Sequence, residues 1–265
     1  MGRLSFTDRL LALRVTAVLS WRDYRVQYPI KILLLSVFPR AILQVAFFAY
    51  LGYVAAGRDG RTFAFVGAAA QVAALATVVK GPDVLLDERV LGTLHRHRLG
   101  VVPLPATVAA RWWIYTLEGI CTTLVAIALL AAPFGGIELL LRLLAATPLF
   151  VLISLSLTAF GLAVGSFALT QRADVLLTNL ASYALLVLCG VVAPVAAFGH
   201  EGSIAVRTLP LTNGLLAVRD VVAGRPWAES ALLELAVGAG WMLVGAAALT
   251  WQARRGRVTG SDERY

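Results

Sequence analysis

The densest set of side chains able to do chemistry lies in LDERVLGTLHRHRLGVVPLP, residues 86–105. There Asp87, Glu88, Arg89, His95, Arg96, His97 and Arg98 stand between two strongly apolar runs. Several chemistries can be asked of them. His95 and His97 are of metal-ligand type, but two residues apart on a helix they point to different faces, so a metal site is not expected. Asp83, Asp87 and Glu88 form an acidic cluster, and paired carboxylates can do acid–base work or hold a divalent ion; their spacing lacks the helical D-x-x-D pattern such a membrane enzyme would use. No G-x-x-x-x-G-K-[ST], H-E-x-x-H or G-x-S-x-G stretch occurs, so binding of ATP in a phosphate loop, zinc proteolysis and serine hydrolysis are not expected of this chain. What the patch does hold is Val90, Leu91 and Leu94 at helical spacing among charges of both signs. A short amphipathic helix of this kind is a docking surface for a soluble partner.

The elements that must position this patch are read from composition first. The chain has 265 residues, 59% hydrophobic and only 14% charged, against about 25% charged in ordinary soluble domains. Its mean hydropathy is +0.81. There is too little polar surface for a soluble globule, and an all-α integral membrane protein follows. The net charge of +8 and pI of about 10.1 would suggest nucleic acid on a soluble chain. Here they are read as a cytoplasmic face, with no nucleic-acid partner. Cys121 and Cys189 both sit in apolar runs and read as buried thiols. Arg9 and Arg14 interrupt the first apolar region and no small-x-small cleavage site follows, so a cleavable signal peptide is not expected.

A membrane crossing needs about 20 mostly apolar residues. Six stretches qualify, at about 30–54, 63–79, 107–132, 139–169, 175–198 and 231–251, the fourth long enough to begin as an interfacial turn before Pro148. Most of the 23 Lys and Arg fall in the N-terminus, the loops after spans two and four, and the C-terminus, which places both termini and residues 86–98 in the cytoplasm. Residues 1–28 read as an interfacial helix. Arg14, Arg22 and Arg25 share a stripe beside Leu10, Leu13, Ala17, Trp21 and Tyr24, a pattern suited to the inner headgroup layer. Residues 199–225 are too polar to span and too apolar for a plain loop; they read as an external re-entrant segment of two short helices broken near Pro210. Arg40 lies inside span one, where a bare charge costs several kcal/mol. It either faces a partner or wet cavity, with Glu118 on span three and polar groups on span five as candidates, or it snorkels from a later-starting span. Pro39, Pro148 and Pro194 favour kinks. Gly161 and Gly165 form a G-x-x-x-G face that suits either an internal contact or a dimer seam.

With Glu88-Arg89-Val90-Leu91-Gly92-Thr93-Leu94 after span two, a leucine-containing run ending at Pro105, and Leu209-Pro210-Leu211-Thr212 followed by Arg219 before the last span, the chain resembles the ABC-2 type transporter permeases over nearly its whole length. The resemblance implies a single transmembrane domain over 1–265, with an interfacial helix at 1–28, a cytosolic coupling loop at 83–100 and an external re-entrant segment at 199–225. It implies the permease subunit of an ABC exporter, without catalysis of its own, in the bacterial inner (plasma) membrane. The chain itself would bind no cofactor; ATP and Mg would sit on separate nucleotide-binding ATPase subunits. A second permease copy or a homologous permease would pair with it in the lipid bilayer. Asp87, Glu88, Arg89, Gly92, Thr93 and Leu94 would couple to the ATPase; Arg14, Trp21, Arg22 and Arg25 would belong to the interfacial helix. Arg40 and Glu118 would line the path or an interface, and Pro210, Thr212 and Arg219 the external gate. The family's carbohydrate exporters often carry aromatic residues along the path. Here the spans are rich in Leu, Val and Ala, which points to a drug-, antibiotic-, peptide- or lipid-like cargo. A carbohydrate exporter, a non-transporting membrane scaffold or sensor, and an enzyme acting on lipid are the alternatives.

Overall fold

A computed structural model describes residues 6–84, 88, 102–168 and 174–259. The described residues are helical, with no strand among them. The helices are α1 (Phe6–Gln27), α2 (Ile30–Lys80), α3 (Leu104–Ala145), α4 (Thr147–Ala168), α5 (Asp174–Leu188), α6 (Gly199–Val206), α7 (Thr212–Val222) and α8 (Ala228–Thr259). Four of them, α2, α3, α4 and α8, hold stretches long and apolar enough to cross a membrane, while α5 is a shorter apolar helix.

α2 is two helical arms in one run. Pro39 has no N–H to give, and its ring crowds the Leu35 carbonyl. The helix widens into a π turn over Leu33–Val37 just before it. Farther on, Ala56 (φ −146°, ψ 26°) and Gly57 (φ 65°, ψ −146°) leave helical space and the chain reverses. Glycine takes that positive φ without a Cβ clash. The two arms, residues 30–55 and 58–80, then approach so closely that a Cβ on Gly52 would collide with the Gly60 carbonyl, and one on Gly60 with that of Gly52. Tyr50 on the first arm and Phe65 on the second both meet Phe134 of α3 edge-on, with ring centroids 5.5 and 5.6 Å away.

The second arm is the centre of the bundle. From Ala64 to Ala74 every residue is buried, the mark of a helix that is apolar on all sides. In lipid there is little hydrophobic drive between helices, so close backbone approach must supply the packing. Gly67 abuts Val191, a Cβ on Gly119 of α3 would come within 3.2 Å of Ala73, and Gly161 of α4 lies against the Thr77 carbonyl. A Cβ on Gly165 would come within 3.2 Å of Pro82 and 3.3 Å of Trp112. The G-x-x-x-G face of α4 is thus spent inside the chain. On another side of α4 runs α8, so close that a Cβ on Gly238 would come within 3.1 Å of Ser156 and one on Gly245 within 3.0 Å of Ala163.

Two boundaries differ from the sequence expectation. A span beginning at 139 is replaced by a break: Gly136 (φ 81°, ψ 176°) follows Pro133 and residues 137–145 form a separate arm of α3. α4 starts only at Thr147, with Pro148 in its first turn, where a missing N–H leaves no hydrogen bond unmade. Hydropathy runs on without interruption across this junction, so the apolar count merged the two pieces. The stretch 175–198 likewise divides. α5 ends at Leu188, Gly190 takes φ 79°, and Pro194 opens a short 3-10 turn, Val195–Phe198.

Candidate functional site

The inner cluster is built where α1 meets α3. The Ser20 hydroxyl donates to the Arg111 carbonyl (2.7 Å), and the Trp113 indole N–H donates to the Ala17 carbonyl (3.2 Å). Trp21 stacks on Trp113 with centroids 6.2 Å apart, and Tyr24 meets Tyr115 edge-on at 5.6 Å. These contacts join residues 17–24 of α1 to residues 111–115 of α3. Ala17, Ser20 and Tyr24 therefore face protein, whereas Leu11, Val15, Val18, Leu19 and Val26 are exposed. Arg14, Arg22 and Arg25 are exposed too, with the Arg25 guanidinium 6.0 Å from the Trp21 ring.

Glu118 is the buried anchor of this cluster, 7% exposed. One carboxylate oxygen pairs with Lys80, and the other accepts from the Tyr24 hydroxyl at 2.7 Å. The Lys80 ammonium also sits 4.3 Å from the Tyr28 ring centroid. Burial first, then the Glu118 carboxylate, push the Tyr24 hydroxyl well above the usual tyrosine range, so it stays protonated and keeps donating. Glu118, one candidate partner for Arg40, is thus engaged by Lys80 and Tyr24. Arg40 is exposed on the first arm of α2 and lines a cavity of about 190 Å³ together with Ser36, Lys80, Glu118 and Thr122.

Nearer the end of α3, Arg111 pairs with Glu88 and stands 3.8 Å from Asp23 of α1. Glu88 is mostly buried, its side chain 13% exposed. Its carboxylate is turned toward α3. Asp87, Arg89, Gly92, Thr93 and Leu94 lie outside the described residues.

At the opposite end of the bundle, residues 206–222 form a knot. Leu211 holds φ 80°, a strained value for a branched side chain. What holds it is Glu234 of α8, which has no exposed surface. Its two oxygens accept from the Leu211 N–H (2.8 Å) and the Gly214 N–H (2.9 Å), capping the N-terminus of α7 from a neighbouring helix. The Thr212 hydroxyl donates to the Val206 carbonyl (2.9 Å), the Asn213 amide to Arg207 (2.8 Å) and the Trp241 indole to Thr208 (2.9 Å). The Cys189 thiol donates to the Pro210 carbonyl at 3.4 Å. Arg219 donates to the Phe63 carbonyl (3.1 Å), with its guanidinium 3.5 Å from the Phe63 ring centroid. Arg219 is thereby set against the second arm of α2, while Pro210 is held by Cys189 and Thr212 by Val206.

A family profile described as ABC-2 type transporter matches residues 14–222. The chain belongs to the ABC-2 type transporter family. Among curated proteins and among solved structures no match was found. Membership makes this ABC-2 chain a multi-pass transmembrane subunit of a membrane transport system. The matched segment runs from within α1 to the end of α7.

In this ABC-2 subunit, sequence reasoning passed over Glu234, Lys80 and Arg111 as site residues. Glu234 had a signal: it is an ionisable residue inside the apolar run ALLELAVGAG of the last span, which by itself marks a residue with a partner. Lys80 and Arg111 entered only as positive charges in a topology count. Nothing in their local sequence names Glu118 and Glu88 as their partners.

Proposed function

We propose that this chain is the permease half of an exporter powered by separate nucleotide-binding ATPase subunits that carry ATP and Mg. In this reading the chain crosses a bacterial plasma membrane six times, by the two arms of α2, by α3, by α4, by α5 with the turn after it, and by α8, with both termini in the cytoplasm. It forms one domain, paired with a second copy or a homologous permease. Residues 83–100 dock on the ATPase, and α6 and α7 close the external side at Pro210, Thr212 and Arg219. The cargo is drug-, antibiotic-, peptide- or lipid-like, in keeping with the Leu-, Val- and Ala-rich spans.

One observation carries this reading. Glu88, of the E-R-x-x-G-T-L stretch, pairs with Arg111 at the base of α3, and Arg111 lies beside Asp23 of α1. Motion of the coupling segment is therefore handed to α1 and α3 together. α1 and α3 in turn grip Lys80, at the end of the central arm, through Tyr24 and Glu118.

The test is co-purification with the ATPase encoded beside this chain, followed by ATP hydrolysis and transport in proteoliposomes. Glu88→Ala should leave the complex assembled while cutting transport per ATP about tenfold, a loss of about 1.4 kcal/mol of coupling. Glu88→Arg with Arg111→Glu should restore most of it. Full coupling in Glu88→Ala, or no complex with any ATPase, would sink the proposal.

A further inference from the structure

The inner end of α2 is flanked by two cavities that share walls. The smaller one, of about 190 Å³, lies between the two arms of α2 and α3, with Ser36, Arg40 and Lys80 on its wall. The other, of about 580 Å³, lies between the α1–α2 junction and α3 and is lined by Trp21, Leu33, Phe38, Leu117 and Cys121. Tyr28 and Glu118 line both. The larger space falls within the range of small-molecule sites, about 300–1,000 Å³.

The charges do not balance. Lys80 is neutralised by Glu118, whose second oxygen is taken by the Tyr24 hydroxyl. Arg40 has no ion pair among the described residues, yet it lines the cavity well inside the first arm of α2. An uncompensated guanidinium at that depth is costly, and an anion is the partner that removes the cost, with a planar fork suited to a carboxylate or phosphate. Beside this cation stands a roomy, mostly apolar wall that carries one further cation, Arg25, 6.0 Å from the Trp21 ring.

We propose that the two cavities form one site for an anionic amphiphile. Its carboxylate or phosphate head sits at Arg40 and Ser36, and its apolar body lies along Trp21, Leu33, Phe38 and Leu117. Binding stands independently of transport; only the idea that the ligand is cargo rests on the exporter reading. In that case the cargo class narrows to acidic lipid-like molecules taken from the inner leaflet.

The test uses the purified full chain in dodecyl maltoside micelles and cis-parinaric acid, a fluorescent fatty acid, with its uncharged methyl ester as control. The acid should bind about tenfold tighter than the ester. Arg40→Gln should abolish that difference, a change of about 1.4 kcal/mol, without weakening the ester, and Arg40→Lys should keep most of it. A second readout needs no variant. The acid should slow N-ethylmaleimide labelling of Cys121, which is exposed in the apolar cavity, and leave buried Cys189 as it was. Equal binding of acid and ester, an acid affinity untouched by Arg40→Gln, or unprotected Cys121 would overturn the site.

Two further arms separate the sources of such a ligand. Parinarate that stimulates ATP hydrolysis by the assembled transporter supports the site as a cargo site. An anionic phospholipid that stays bound through purification, and leaves in Arg40→Gln, supports it as a resident-lipid site. Parinarate binding with no ATP-driven transport at all would leave the site standing and remove the exporter reading. Transport without parinarate binding would do the reverse.

Discussion

Replacing Glu234 is the sharpest test of how residues 206–222 are held. Glu234→Ala removes both acceptors of the Leu211 and Gly214 N–H groups, which lie at 2.8 and 2.9 Å from the carboxylate with no water-facing surface on Glu234. A buried donor left without a partner costs about 1–3 kcal/mol. Two such donors give about 2–6 kcal/mol. Glu234→Gln keeps one acceptor oxygen but turns an NH₂ toward the other N–H, so its loss is about half as large. At about 2–4 °C per kcal/mol for a chain of 150–250 residues, Glu234→Ala lowers the thermal midpoint by roughly 4–24 °C, and Glu234→Gln falls between it and wild type. The midpoint is read from intrinsic fluorescence in detergent. Hydrogen exchange of residues 207–222 supplies the local measurement, because releasing the cap should free the start of α7 well before the bundle melts. Wild-type protection at Leu211 and Gly214 in the Glu234→Ala protein would refute the reasoning, whatever the midpoint does.

Further substitutions probe the remaining contacts. Lys80→Met leaves Glu118 buried without its cation and should destabilise by about 3–5 kcal/mol; adding Glu118→Gln, which still accepts from Tyr24, should recover most of that loss. A double variant no more stable than the single one would show that the pair is not what holds this corner. Gly57→Ala meets no atom within 4 Å, so only its backbone angles, φ 65° and ψ −146°, oppose it, at about 1–3 kcal/mol in thermal unfolding. Gly161→Ala would drive a methyl into the Thr77 carbonyl and should cost about 1–3 kcal/mol by overpacking. If Gly161→Ala leaves the thermal midpoint unchanged, the close approach of α4 to α2 is misjudged.

The helical membrane class was legible because charge is scarce and apolar runs are long. The facing of those helices was legible only in part. In water an apolar stripe names the buried side of a helix. In lipid both sides tolerate Leu and Val, and what marks a packed side is small residues. That is why Gly161 and Gly165 were readable as a contact face while α1 was not. Its stripe through Ala17 and Tyr24 packs on α3, and an equally apolar set, Leu11, Val15 and Val18, lies outside. The Arg40 question was posed correctly by depth alone, but its surroundings depend on Lys80, 38 residues before Glu118, having reached that carboxylate first. Glu88 was singled out by its motif. Its turn inward to Arg111 is a tertiary fact with no local trace.

The central arm of α2 also sets an order of events. It is made early, yet every residue from Ala64 to Ala74 is buried, in part by helices that follow it in the chain. The Gln71 side-chain amide donates to the Ser182 carbonyl of α5 at 3.0 Å, a partner 111 residues downstream. At a ribosomal pace of about 5–20 residues per second, that amide spends roughly 5–20 seconds before its acceptor has even been synthesised. The first arm, held against it at Gly52 and Gly60, is the neighbour available throughout that interval. The tight hairpin at Gly57 therefore gives the central arm one packed neighbour from the moment both arms are made, before the acceptor of Gln71 exists.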